Sequence, residues 1–437
     1  MKALLYCYGS RGDVEPYLAL AFALREAGHE AVLAAPALFA PAAERHGVPF
    51  APLNDEVPRM MTGPEFREAL MRSDEMTEAD RRRRREVFLD LFPRVYPVLL
   101  REMWDAASGG ADIVVHSHNH REVVPQIAEK LGVPHVLASL YPNFVPSAEY
   151  PLWERGVQQG KPAGDGPDVF TSLPQQALAA WRSDVLGLPP REGAGDYLTR
   201  PDGTPATVLH GFSPHLIEPA ADWPETVHTT GYWTLPAAGD WTPPAGLTRF
   251  LDACEEAGEK PVFIGFGSSM APDPLAAGRL VRDAVRAAGV RAVVVAGWGG
   301  IEIPDPGEDI LTVREVPYDW LLPRMRAAVH AGGVGAHNAA LLAGIPQVSV
   351  AFHKEQQMWA RYLHAAGVTP PPLRQRDLTT EALTDALRQA VSDPALARAA
   401  DRIGALVRTE DGARTAVRVL ERVHSDHSGK THADHHA

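Results

Sequence analysis

Ala328-Val329-His330-Ala331-Gly332-Gly333-Val334-Gly335-Ala336-His337-Asn338-Ala339-Ala340-Leu341 is the stretch of this chain from which the fold can be read. It opens as a short apolar strand that delivers His330 to its carboxyl end, turns through glycines, and continues as a helix from about Gly335. In open α/β sheets, ligands bind at that edge. Glycine lets the backbone approach a ligand closely, and the amides of a helix N-terminus face an anion, so the turn suits a diphosphate. His330 adds a ring N–H that can donate to a phosphate oxygen. A purely structural glycine turn is the other reading of the same residues. No Gly-Lys-Ser/Thr follows, which excludes a Walker loop. A dinucleotide fingerprint also fails, since Gly9-Ser10-Arg11-Gly12 lacks the third glycine and the strand ending Ala34-Ala35-Pro36 offers a ribose no acidic residue.

Outward from this turn, strand-like and helix-like runs alternate through both halves, the pattern of α/β architecture with parallel sheets. Strands are expected over 2–8, 31–35, 113–116 and 136–139, with a helix over 16–27 ended by Gly28. A second series is expected over 261–265, 292–296, 327–330 and 347–351, closing with a helix over 412–424. Turns rich in Pro, Gly and Trp fill 194–244 between them. With 437 residues, the chain exceeds what one core supports, so two domains of about 200 residues each are expected. We set them at 1–230 and 245–424, joined by a linker over 231–244. The polar, His-rich end, 425–437, is expected to be disordered.

Composition narrows the function. Hydrophobic residues at 45% and charged residues at 22% suit a globular protein, and the net charge of −13 argues against general nucleic-acid binding. No apolar run reaches the ~18 residues of a membrane span, and the opening Met1 to Leu5 is too short for a signal-peptide core. A cytoplasmic location is expected, with Cys7 and Cys254 as reduced packing residues. Arg81 to Arg85 reads as a solvated face or, more sharply, as a steering patch for an anionic acceptor or a membrane surface. His116, His118 and His120 share one face if extended; lining an acceptor cleft, ordinary polar loop positions and zinc ligation are the three readings.

The glycine turn, followed by Ala343-Gly344-Ile345-Pro346-Gln347, Glu355-Gln356 and Trp359-Ala360, resembles the donor-binding signature of UDP-glycosyltransferase-like enzymes. The likeness is greatest to bacterial natural-product, glycopeptide and sterol glycosyltransferases. Gly265-Phe266-Gly267-Ser268, Gly297-Trp298, the run Val316 to Pro323, Gly231-Tyr232-Trp233 and the loop Gly9 to Pro16 extend it over nearly the whole chain, except the middle of the first domain. The resemblance implies a GT-B fold, two Rossmann-like domains with parallel sheets facing across a cleft. It implies an inverting, metal-independent transfer from a UDP- or dTDP-sugar to a lipophilic acceptor, with no cofactor. No Asp-x-Asp pair occurs in the chain, which agrees with the absence of a metal.

On the matching positions, His330, Gly332, Gly333, Val334 and Gly335 bind the diphosphate. Asn338 contacts the ribose, Val316 meets the base through its backbone, and Ser268 reaches a phosphate. Glu355 and Gln356 hold the sugar hydroxyls. Departures from the family pattern are Ala331, Ala336 and Glu355, while the added His337 either replaces a lost hydroxyl ligand or is solvated. Asp13 is the expected general base, with helix capping as its alternative role. Ser10, Arg11 and Gly12 of the same loop are expected at the donor phosphates, with a solvated Arg11 as the alternative. Phe144, Tyr150, Trp153, Phe170 and Trp181 favour a flat, hydrophobic acceptor or are core. A natural-product acceptor is expected; sterol or lipid glucosylation, and a catalytically silent GT-B auxiliary protein, are the alternatives. A homodimer is allowed, and membrane association is not expected.

Overall fold

Runs of Val, Ile, Leu and Ala flanked by glycine turns become buried parallel strands. In the computed structural model they form two separate sheets. It describes residues 1–60, 78–150, 169–191, 196–200, 202–236, 241–269, 273–298, 301–352 and 354–434.

The first sheet contains β1 (Lys2–Tyr6), β2 (Glu30–Pro36), β3 (Phe50–Leu53), β4 (Ile113–His116), β5 (His135–Ser139), β6 (Thr207–His210) and β7 (Val227–Thr229), in spatial order β3-β2-β1-β4-β5-β6-β7. The second contains β8 (Val262–Gly265), β9 (Ala292–Val295), β10 (Ile310–Val313), β11 (Ala328–His330), β12 (Gln347–Ala351) and β13 (Leu373–Arg374), in order β10-β9-β8-β11-β12-β13. Every pairing between these strands is parallel. Both orders follow the doubly wound pattern, whose switch points fall between β1 and β4 and between β8 and β11. The second sheet is buried on both faces, as parallel sheets are. Ile264, Val294, Val329 and Val348 pack to one side, and Phe263, Val293, Val295 and Ala328 to the other.

Contacts divide the chain into one unit of Met1–Pro58, Arg81–Leu235 and Glu410–Ala437, and another of Arg59–Asp80 and Pro236–Thr409. A continuous second domain over 245–424 is therefore corrected: the last helix, Gly412–Asp434, returns to the first unit. It packs along the helix Arg11–Glu26, burying Ala416, Val417, Val419, Leu420 and Val423, with Glu421 2.9 Å from His29 Nε2. The tail expected to be disordered, 425–437, is helical over its described residues. The helix runs to Asp434, and His427 Nε2 lies 3.1 Å from the Gly132 carbonyl oxygen. Residues 435–437 lie outside the described residues. Among the described residues, no helix is long and apolar enough to cross a membrane.

The first helix begins at Arg11 rather than at Pro16. Ser10 and Asp13 form a capping box around its first turn, so the loop after β1 is only a few residues long.

Candidate functional site

The loop after β11 is held by two buried side chains. His330 is fully buried, and its Nδ1 accepts from the Gly332 amide at 2.9 Å. Its Nε2 lies 2.6 Å from Gln347 Oε1, which makes Nε2 the protonated nitrogen. Gln347, also fully buried, donates through Nε2 to the His337 carbonyl at 3.3 Å. Burial pushes the His330 pKa down to about 4, partly offset by the Gln347 bond, so the ring is neutral near pH 7. Both ring nitrogens are thus engaged inside the protein, and His330 has no N–H to offer a phosphate. The expected phosphate contact is corrected to a supporting role: the imidazole fixes the glycine loop from beneath.

Of the two readings of His337, the solvated one is corrected. The side chain is fully buried and tilted against Trp359, with centroids 4.6 Å apart. Its pKa is pushed to about 3, first by burial, while hydrogen bonds to the Gly332 and Gly333 backbone act the other way. Gly332 sits at φ +91°, where a Cβ would stand 3.1 Å from the Gln356 carbonyl oxygen. By contrast, a Cβ on Gly333 or Gly335 would meet nothing within 4 Å. The loop is packed below and open above, and the helix Val334–Ala343 begins there with Gly333 as an N-cap that brings no side chain. The first backbone N–H groups of a helix have no partner within it, so this end can take an anion.

Other expected donor residues divide between open and internally engaged groups. Gln356 is buried; its Nε2 donates to Ser269 Oγ at 2.8 Å and its Oε1 accepts from the Phe352 amide at 2.8 Å. It ties the loop after β12 to the loop after β8, leaving one amide hydrogen and one lone pair for a ligand. Ser269 and Gln347 were given no role by the sequence, although a polar residue in a buried strand needs a partner, which marks Gln347. Ser268 and Glu355 are half-buried, and Val316 places its side chain in the core. Asn338 is buried with Oδ1 lacking a hydrogen-bond partner among the described residues.

In the first unit, Asp13 is half-buried and its Oδ2 accepts from the Ser10 amide at 2.8 Å and the Ser10 hydroxyl at 2.9 Å. Ser10 is the N-cap and Asp13 the third helical residue, so Asp13 serves the cap through one oxygen only. Desolvation raises its pKa above 3.8, while the Ser10 hydrogen bonds pull the other way. Gly9, at φ +139°, is required here, because its Cβ would fall inside the Asp13 carboxylate. Arg11 is exposed and bridges to Glu15 at 3.0 Å, while a Cβ on Gly12 would have only Ser10 Oγ, at 4.0 Å, as a neighbour.

His116 ends β4, but His118 and His120 do not continue it as extended chain, which corrects the shared face. Ser117 bonds back to the Tyr6 carbonyl and the chain enters a tight turn over His118–His120. His118 stacks on Phe144 at 4.4 Å, while His120 meets Tyr6 and Tyr8 edge-on. Burial lowers all three pKa values, to about 3 for His118 and about 4 for His120. Beside this turn lies a cavity of about 240 Å³ whose wall includes Tyr8, Tyr96, Leu99, Met103, His120 and Glu122. Phe144, Tyr150 and Trp181 are core residues, each under a tenth exposed. Residues 61–77 and 151–168, with Trp153, and the side chain of Phe170 lie outside the described residues.

Residues 3–148 match the glycosyltransferase family 28 N-terminal domain, and residues 300–416 match the erythromycin biosynthesis protein CIII-like C-terminal domain. The chain is 31% identical over 432 residues to a sterol 3-beta-glucosyltransferase of Leptosphaeria maculans, covering 95% of this chain and 28% of that protein. It is 30% identical over 439 residues to the enzyme of that name from Emericella nidulans, covering 97% and 30%. The chain therefore spans under a third of the length of these relatives. Among solved structures, the glycotransferase of kitacinnamycin superposes with a TM-score of 0.67 at 20% identity, covering 97% of this chain and 98% of that one. Glycosyltransferase VinC, in complex with dTDP, superposes with a TM-score of 0.63 at 20% identity, covering 98% and 100%. The two parallel sheets with their helices are the two-domain GT-B fold of these neighbours.

Proposed function

From a chain that joins a family 28 glycosyltransferase N-terminal domain to an erythromycin CIII-like C-terminal domain in the GT-B fold, we propose a transferase that moves a hexosyl group from a nucleoside diphosphate sugar to the hydroxyl of a sterol-like acceptor. What carries this choice of acceptor is the 31% identity to a sterol 3-beta-glucosyltransferase, sustained over 432 residues. The donor half is supported by the glycine loop, open at Gly333 and Gly335 and braced by His330.

Chemically, the acceptor O–H gives its proton to Asp13 while its oxygen bonds to the anomeric carbon. The bond from that carbon to the diphosphate oxygen breaks, and the electron pair leaves with the diphosphate. One displacement inverts the anomeric centre. Asp13 has an oxygen not used by the cap, and desolvation makes it a stronger base than an exposed carboxylate. The departing charge meets backbone amides at the start of the helix Val334–Ala343, dipoles fixed before the reaction begins. Asn338 Oδ1 is assigned to a ribose hydroxyl, the Val316 backbone to the base, Ser268 to a phosphate, and Glu355 with the spare capacity of Gln356 to the sugar. The transfer is taken to run without a metal ion.

Calorimetric titration in chelator with UDP and dTDP, with NAD as control, tests the donor site. Incubation of the preferred nucleotide sugar with a sterol, and NMR of the anomeric proton, tests the transfer. Micromolar binding of one diphosphate and an inverted sterol glycoside are expected. Binding of neither overturns the enzyme and favours a silent GT-B auxiliary protein. A second acceptor class, natural products glycosylated from dTDP-sugars, is favoured by the match of 300–416 to the erythromycin protein domain. Preference for dTDP with no sterol product would select it.

A further inference from the structure

Four histidines of the first unit take no part in the chemistry above and are buried: His116, His120, His135 and His210 are at most 4% exposed. His116 ends β4, His120 lies in the turn after it, His135 opens β5 and His210 ends β6, and these three strands are neighbours in the first sheet. The rings of His116 and His135 stand 5.7 Å apart between centroids. At each of the four, at least one ring nitrogen is buried with no hydrogen-bond partner among the described residues. A proton added there would make a charged N–H with no acceptor, deep in the fold. The charged neighbours add to the cost. His135, His120 and Arg121 face His116, while Arg200 and Arg191 face His135 against the carboxylate of Asp196. His120 has the Tyr6 and Tyr8 rings edge-on and shares a cavity wall with Arg121 and Glu122. His210 packs on Phe212 and Trp223, with Nδ1 3.5 Å from Thr229 Oγ1.

We propose that the β4–β5–β6 half of the first sheet is an acid-opened element, which mild acid releases from the fold ahead of the second unit. An opened histidine takes a proton below about pH 6.5, and these four cannot take one in place. Burial keeps the ring neutral down to about pH 4 at His120 and His135 and about pH 3 at His210, and it lowers the His116 pKa as well. Stability is therefore complete above about pH 6.5 and is lost progressively as pH falls from there toward 4. At pH 5 each histidine lowers the ratio of folded to opened molecules about 30-fold, and the four together lower it on the order of 10⁶-fold. Whole-domain folding constants are about 10³–10⁸, so this is large enough to open the unit. Asp13 and Glu410 offset part of it, because desolvation raises their pKa values and they bind a proton more readily folded than opened. In the second unit, His330 and His337 are the fully buried histidines among the described residues, and they give only on the order of 10³-fold. With the proposed transfer, the unit that carries Asp13 opens first, so turnover falls between about pH 6 and 5 while nucleotide affinity holds. That consequence rests on the transfer, whereas the opening does not.

The experiment is amide hydrogen exchange of the full chain, read by mass spectrometry at about pH 7.5 and 5 and corrected for the intrinsic exchange rate at each pH. The opening constant of residues 113–116, 135–139 and 207–210 should rise about 10⁵- to 10⁶-fold, and that of residues 262–265, 292–295 and 328–330 on the order of 10³-fold. Protection should return when the pH is restored. A rise below about 100-fold in the first set, an equal rise in both sets, or protection that is not regained overturns the proposal. His116→Gln, His135→Gln and His210→Phe, made singly, should each reduce the rise in the first set about 30-fold, whatever each does to stability at neutral pH. Should one of them fail to fold, the other two and the wild type still decide the matter. Retention of the full rise by every variant that folds overturns the assignment to these histidines. Absence of transfer at every pH, with the acid opening intact, would sink the transfer and not the switch.

Discussion

Neutralising the role of His330 without emptying its site is the most direct perturbation, and pH does part of it without a mutation. If the imidazole ligated the diphosphate as a cation, nucleotide-sugar affinity would fall as pH rose through its pKa. A hydrogen bond to a charged group contributes about 1.5–3 kcal/mol, so the loss would be about 10- to 150-fold. The buried ring, at about pKa 4 and with both nitrogens engaged, is already neutral throughout that range. UDP-glucose and dTDP-glucose are suitable probes, because their diphosphates are diesters with no titration near neutrality. Calorimetry from about pH 5.5 to 8.5 should therefore give a flat Kd for whichever sugar binds. A ten-fold or greater weakening over that range would refute the supporting role given to His330.

His330→Phe completes the test. The ring keeps its volume, while the Gly332 N–H and the Gln347 carbonyl oxygen lose their partners. Each buried unsatisfied group costs about 1–3 kcal/mol, so the second unit should lose about 2–6 kcal/mol, a Tm fall on the order of 10 °C. Affinity should fall with it, since the amides that face the anion are no longer fixed. A variant that keeps its Tm but loses binding would mean that the ring touched the ligand after all.

Gly335→Ala, placed in open space, should leave stability within about 0.5 kcal/mol of wild type yet lower nucleotide affinity ten-fold or more by blocking the backbone approach, read by differential scanning and calorimetry on one sample. Asp13→Asn should cut turnover about 100-fold or more with nucleotide affinity unchanged; the acid limb of the wild-type rate should lie above pH 3.8, because the base must be ionised and its pKa is raised. Arg182→Ala removes a guanidinium bound to both Glu129 oxygens at 2.8 and 2.9 Å and should cost about 3–5 kcal/mol in urea unfolding of the first unit. Acid should weaken the second unit from about pH 6.5 downward, because the unfolded histidines bind protons there. Folded His330 and His337 stay neutral until about pH 4 and about 3, so a Tm constant from pH 7 to 5 would contradict their burial.

The elements and the glycine turn were legible because their signals are local. Apolar runs of four or five residues became β4, β9 and β12 within a residue of expectation, and the helix after Gly333 began one residue early. The Ser-x-x-Asp of a capping box was equally local, yet Pro16 drew the expected helix start to itself; proline is tolerated where the intrahelical donors are missing, and here it stands in the second turn. The destination of the last helix was not local. Its apolar periodicity says that one face is buried, while the partner, the helix Arg11–Glu26, lies at the opposite end of the chain.

The site divides along the same line. That polar groups converge after β11 follows from composition and spacing, but whether a polar group faces a ligand or another buried group depends on the neighbouring strand. For His330 that neighbour was within reach of inference. With β11 and β12 parallel and Ala328 opposite Gln347, His330 pairs with Ser349, so residues 328, 330, 347 and 349 project to one face. A histidine and a glutamine on one buried face, diagonal across adjacent strands, must satisfy each other or remain unsatisfied at a cost of about 1–3 kcal/mol apiece. The bond between them leaves His330 its Nδ1 lone pair, and the Gly332 amide, held at φ +91° above it, takes that as well. The ring is thereby closed to the anion, and the open amides of the helix start are left to receive it.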